Sequence, residues 1–68
     1  MMREEIGKLV LITSTNEKGI IVDAIPDFDN GRGLLCKIAI GCGTFDEAKS
    51  VSPPDLVSHN TQHLTFLD

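Results

Sequence analysis

Four side chains in this sequence are of the types that hold zinc: Cys36, Cys42, His59 and His63. A structural zinc site needs four nitrogen or sulfur ligands in a tetrahedron, and its cysteines commonly come as a tight Cys-x2-Cys knuckle. Here the spacing is Cys-x5-Cys followed by His-x3-His. The two histidines would share a face on a helix, but their segment reads as extended. The expectation is a core role for Cys36, a turn position for Cys42 and surface positions for both histidines, with no metal. Cys42 lies between Gly41 and Gly43, where a thiol could be exposed. A nucleophilic thiolate also needs a base or a positive field beside it, and no spacing places His59 or His63 there. Asp27-Phe28-Asp29-Asn30-Gly31 resembles a calcium loop only superficially. An EF-hand loop has Gly at its sixth position and Glu at its twelfth, whereas counting from Asp27 the Gly is fifth and Ile38 is twelfth. It reads as a solvated turn. No catalytic residue, metal or cofactor is expected, and the chain is not expected to be an enzyme.

The chemistry that remains is recognition. Phe28 lies between Asp27 and Asp29, and Phe45 precedes Asp46 and Glu47. An aromatic with charged neighbours on a loop is the composition of an interface anchor with a polar rim. Asp27, Phe28, Asp29, Arg32, Phe45, Asp46 and Glu47 are therefore the candidate partner-binding residues. The plainer alternative is that each ring folds back to cap an open end of the fold.

Composition narrows the class of molecule. Sixty-eight residues make one domain, and a chain this short buries only about 60% of the surface it exposes unfolded. Self-association is one way to supplement so thin a core, and a homo-oligomer is expected. Two cysteines are fewer than a secreted domain of this size usually carries. No apolar run approaches the roughly 20 residues needed to span a membrane, and the charged start Met1-Met2-Arg3-Glu4-Glu5 is unlike a signal peptide. A cytoplasmic protein with reduced thiols is expected. The net charge is −4, and the six basic residues are scattered with no two adjacent, unlike the basic stripe of a nucleic-acid binder. Folding would have to gather Lys8, Arg32 and Lys37 to make one. The ten acidic residues are too interspersed for an acidic mimic of nucleic acid.

The elements that must position these residues read as short strands. Gly7–Thr13 and Gly19–Ile25 are apolar runs bounded by glycine and polar residues, joined by the loop Ser14–Gly19. Pro26 ends the second run, since it cannot donate to a ladder. Asp27–Gly33 is a turn region, with Asn30-Gly31 a strong hairpin signal. A third strand follows at Leu34–Ile40, with Leu34, Cys36, Ile38 and Ile40 on the core face and Leu35, Lys37 and Ala39 on the other. Thr44 and Glu47 fit a capping box, but a helix so short has little to sustain it, and a strand over Glu47–Ser52 is preferred. Pro53–Leu56 is expected as a 3₁₀ turn, Val57 and Ser58 as a last short strand, and residues 59–68 as a further strand or an arm that docks on a neighbour. Regular short strands separated by turns argue an all-β domain closed into a barrel, which removes exposed edges.

The order of these signals resembles the SH3-like small barrels, a superfamily that includes Tudor and KOW domains. The resemblance rests on Gly7-Lys8-Leu9-Val10, on Gly19-Ile20-Ile21-Val22, on the hairpin into Leu34–Ile40, and on Val51-Ser52-Pro53-Pro54-Asp55-Leu56-Val57. It implies a single five-stranded barrel over residues 7–58, with an N-terminal extension at 1–6. Members of the group that bind Pro-rich peptides or methylated side chains use aromatic grooves or cages; this chain has no Trp, no Tyr and three Phe. KOW domains use basic loops, whereas the loops here mix acid and base. The plasmid-encoded dihydrofolate reductases of this fold carry Val-Gln-Ile-Tyr where this chain reads Lys49-Ser50-Val51-Ser52, without the Gln and Tyr. The expected function is an acidic binding or regulatory module for a protein with a basic surface, with an inhibitor of a nucleic-acid-handling complex from phage or a mobile element as one form of it. Direct nucleic-acid binding and a small-molecule site at an oligomer interface are the alternatives.

Overall fold

The computed structural model describes residues 4–67; Met1 to Arg3 of the expected N-terminal extension, and Asp68, lie outside them. The chain forms a five-stranded antiparallel sheet from β1 (Leu9–Ile12), β2 (Glu17–Pro26), β3 (Leu34–Ile40), β4 (Val57–Asn60) and β5 (Leu64–Phe66). The strand order is β4-β3-β2-β1-β5. A mostly β protein with five strands agrees with the sequence, but one of the five is different. The segment read as a strand at Glu47–Ser52 is not one, since it begins inside a helix, α1 (Phe45–Lys49), and the fifth strand comes from the tail. β5 pairs with β1 through Val10↔Phe66, Leu11↔Thr65 and Ile12↔Leu64, so the tail completes its own sheet.

The helix forms for two reasons that propensity alone does not supply. Thr44 caps it, its Oγ1 accepting from Glu47 N at 3.3 Å, while Glu47 Oε1 accepts from Thr44 Oγ1 at 3.2 Å. Its apolar side then lands on the sheet, with Ala48 1% exposed against Ile20 and Ala39. Tertiary burial of this kind is what holds helices too short to persist alone.

That contact explains a face the sequence left open. Leu9, Ile20 and Ala39 lie directly across from one another on β1, β2 and β3, so their side chains form one row on one side of the sheet. This row, with Phe45 and Val51, makes a second core under α1. The main core lies on the other side, where Val10, Ile12, Ile21, Cys36, Ile38 and Leu64 pack together. The core face expected for β3 is as observed; the opposite face is also buried at Ala39. In β2 the register runs Ile21↔Ile38 and then Asp23↔Lys37, leaving Val22 as a bulge. A bulge adds one residue and bends the strand, which is why Ile20, Ile21 and Val22 are consecutive apolar residues serving two faces. Asp23 faces water, its Oδ1 accepting from Ala24 N at 2.9 Å.

Two 3₁₀ turns complete the chain: Pro53–Asp55, where a turn was expected, and Thr61–His63. The second joins β4 to β5, the two edges of the sheet. At about 2 Å of rise per residue it covers far less than the roughly 19 Å that separates the edges of a flat five-stranded sheet. The sheet is therefore curled. Closure is not completed by hydrogen bonds, because β4 pairs only with β3 and β5 only with β1.

Gly19 marks a close approach between β2 and β3. A Cβ there would stand 2.5 Å from the Ala39 carbonyl oxygen and 2.7 Å from Ile38 Cγ2. Backbone cannot yield as a flexible side chain does, and overpacking costs about 1–3 kcal/mol. Gly19→Ala is expected to lower the unfolding free energy by that amount in a urea titration. An unchanged midpoint would show that β2 and β3 can separate at this point without loss.

Candidate functional site

The sequence-predicted binding residues fall into two groups that the fold keeps apart. Asp27, Phe28, Asp29 and Arg32 occupy the loop between β2 and β3, beyond the pair Pro26↔Leu34. Phe45, Asp46 and Glu47 belong to α1, which follows β3 past its other end at Ile40. The seven residues of β3 span about 20 Å, so the two acidic segments lie at opposite ends of the β2–β3 ladder.

Within the second group the side chains have structural work. Phe45 is half-buried in the second core, over Gly7, and Lys49 Nζ lies 5.4 Å from its ring centre. Glu47 closes the helix cap, and Asp46 forms an exposed ion pair with Lys49 at 3.3 Å. Phe45 thus packs against the sheet face.

The first group is different. Phe28 is 87% exposed, more than any other large apolar side chain among the described residues, and does not cap the fold. Its loop is nonetheless fixed at the base. Asp27 N donates to Gly33 O at 3.3 Å, and Gly31 N donates to Asp27 O at 2.9 Å. Gly31 and Gly33 take φ of 75° and 69°, while Asn30 is not left-handed. The loop is therefore wider than the two-residue Asn-Gly turn that the sequence suggests, and its tightest bends are at the glycines.

The residue that ties this loop down is Asn60, at the end of β4, 6% exposed and the one buried polar side chain among the described residues. Its Nδ2 donates to Asp27 Oδ2 at 2.9 Å and to Arg32 O at 2.8 Å, and its Oδ1 accepts from Gln62 N at 2.8 Å. The other oxygen of Asp27 accepts from Asn30 N at 3.1 Å. These bonds, with the Asn60 amide first, hold the Asp27 carboxyl below the usual carboxylate range. Leu34 N donates to Thr61 Oγ1 at 3.2 Å, and a Cβ on Gly33 would collide with that hydroxyl at 2.5 Å. Sequence reasoning missed Asn60. Its only legible signal was the turn-forming run Asn60-Thr61-Gln62, because its partners are about thirty positions away in the chain.

The metal-type side chains are dispersed. Cys36 is buried in the main core and Cys42 is half-buried on the second core, both free thiols on different sides of the sheet. His59 lies opposite Cys36 on β4, and His63 is exposed in the second 3₁₀ turn. No cluster of three or more His, Cys, Asp or Glu is disposed to hold a metal ion among the described residues. A shallow groove of about 210 Å³ is lined by Glu4, Glu5, Lys8 and Phe66, below the roughly 300–1,000 Å³ typical of ligand pockets. No helix of the described residues is long and apolar enough to cross a membrane. No protein-family model, curated protein or solved structure matches this chain.

Burial, with the negative charges of Glu5 and Asp23, pushes the Cys36 thiol up to about 11 from its ordinary 9.0. The folded state thus holds this proton more tightly than the unfolded state. Its contribution to stability is intact below pH 9.0 and is lost as pH rises towards about 11. Stability measured against pH should fall more steeply across that window in the parent than in Cys36→Val, which has no proton to lose. Parallel curves for the two proteins would contradict this.

Proposed function

We propose that this chain is a small binding module that engages another protein through its 27–33 loop, with Phe28 as the anchor. The observation that carries this reading is an aromatic side chain 87% exposed on a loop whose base is hydrogen-bonded shut. An apolar ring held in water gains its burial only when a partner covers it, and a loop already ordered loses little further entropy on binding. Asp29 beside the ring and the net charge of −4 favour a partner whose apolar pocket is rimmed by Lys or Arg. We place Asp27 and Arg32 at the base of this contact. Phe45, Asp46 and Glu47 belong to the helix and stand outside it.

The sheet supports an SH3-like barrel as the architecture of the module. A meander of β1, β2 and β3, a bent β2, and the pairing of the first strand with the last are the features in favour. Phe66 at the end of edge strand β5 and Leu67 just beyond it, 40% and 43% exposed, support self-association as a property separate from the loop contact. The distribution of cations favours a protein over a nucleic acid: Lys8 shares its groove with Glu4 and Glu5, and Lys37 lies across from Asp23. Free thiols on opposite faces of the sheet fit a reducing cytoplasm.

Immobilised protein should retain one stoichiometric protein from nuclease-treated host lysate. Phe28→Ala should weaken that capture about tenfold or more, as truncation of an interface anchor does. As a surface change, it should alter stability by no more than about 0.5 kcal/mol. Capture of the same protein at undiminished strength by Phe28→Ala would sink the reading. Nucleic acid retained from untreated lysate, with no protein retained after nuclease, would replace it with direct nucleic-acid binding.

A further inference from the structure

We propose that Asn60 is a positioning residue of the Phe28 loop: its buried amide joins the two ends of residues 27–33 to the β4–β5 connection and so helps set the direction in which Phe28 is presented. The proposal rests on the reading of that loop as the contact surface and names what controls it.

A side-chain amide has two donor hydrogens and one acceptor oxygen. At Asn60 the two donors go to the two ends of a single loop, Asp27 at its entry and Arg32 at its exit, while the oxygen takes Gln62 N from the β4–β5 connection. The amide therefore ties three chain segments at one point. Asp in its place offers no donor for either end and sets a second carboxylate against Asp27. Gln carries the amide one methylene farther into a space already in contact with Gly33. Asp27 relays the tie inward, since its second oxygen holds Asn30 N. Phe28 itself, 87% exposed, contributes almost nothing to holding the loop, so its position is decided at the base.

An amide buried to this degree makes the tie strong in one direction. Water cannot replace the lost bonds while Asn60 stays covered, so opening the loop leaves its donors without partners. A loop in its binding shape only a tenth of the time would show about a tenth of the affinity. Asn60 thus acts on binding without touching the partner.

The chain has no Trp and no Tyr, so the indole of a Phe28→Trp protein is a sole fluorescent reporter on the loop. In that background Asn60→Asp is expected to add fast local motion to the anisotropy decay. It should also speed amide hydrogen exchange at Asn30, Gly31 and Leu34 about tenfold or more, with Val10 and Ile38 in the central strands exchanging as in the parent. Asp27→Ala removes the entry half of the tie, together with the Asn30 N acceptor, leaves the Arg32 bond, enters neither core and should release the entry side of the loop even if Asn60→Asp fails to fold. The exchanged pair Asp27→Asn with Asn60→Asp restores one amide-to-carboxylate bond across the gap and should recover part of the protection. Unchanged anisotropy and exchange in both Asn60→Asp and Asp27→Ala would overturn the proposal, as would a released loop that captures the protein partner as strongly as the parent. These loop measurements use no partner, so a failed capture test with Phe28→Ala would remove the binding reading and leave their outcome standing.

Discussion

The connection from β4 to β5 has to cross from one edge of the sheet to the other in three residues, Thr61–His63. A flat sheet would put those edges about 19 Å apart, and a single 3₁₀ turn spans much less. The sheet must curl until its edges approach, and other features of the molecule answer to that requirement. The bulge at Val22 bends β2. Gly19 lets β2 and β3 approach where a side chain would strike backbone. His63 O, at the end of the turn, accepts from both Thr13 N and Thr13 Oγ1, which fastens the connection to the end of β1.

Curling gives the chain an interior and leaves an outer face. Val10, Ile12, Ile21, Cys36 and Ile38 fill the interior, all with essentially no exposure. The outer row of Leu9, Ile20 and Ala39 would face water without α1. A domain this small has little apolar surface to spare, and the five-residue helix uses its share on both sides of the contact: Ala48 is covered and Ile20 and Ala39 are covered by it. The capping residues Thr44 and Glu47 hold the helix start in register for that contact. Phe45, whose composition suggested an interface, is absorbed by the same need for cover.

The same curl brings the β2–β3 loop against the β4–β5 connection. Backbone groups in that corner cannot all find strand partners, and Asn60 with Thr61 supplies them: Arg32 O, Gln62 N and Leu34 N are each satisfied by a side chain. None of the buried side-chain polar atoms among the described residues lacks a hydrogen-bond partner. A loop bonded this fully at its base can carry an exposed aromatic at its tip without collapsing over it. Rigidity below and exposure above are therefore linked, and both derive from the polar side chains at the β4–β5 corner.

Local pattern in the chain was enough to locate β1, β2 and β3, the turn at Pro53–Asp55, the core face of β3 and the loop that carries Phe28. Each of those depends on neighbours within a few residues: alternation, a glycine, a proline that cannot donate. The same local evidence misjudged Phe45–Lys49, because its helix is sustained by Ile20 and Ala39 across the fold, and it left the tail open between a strand and a docking arm, because β5 exists only where β1 has a free edge. It could not distinguish Phe28 from Phe45, two aromatics beside acids that differ only in what surrounds them after folding. Nor could it find Asn60, whose donors reach Asp27 and Arg32 across 33 and 28 positions of sequence. Periodicity and turn chemistry belong to the chain, whereas burial and long-range hydrogen bonding belong to the packed molecule, and the candidate site is made of the latter.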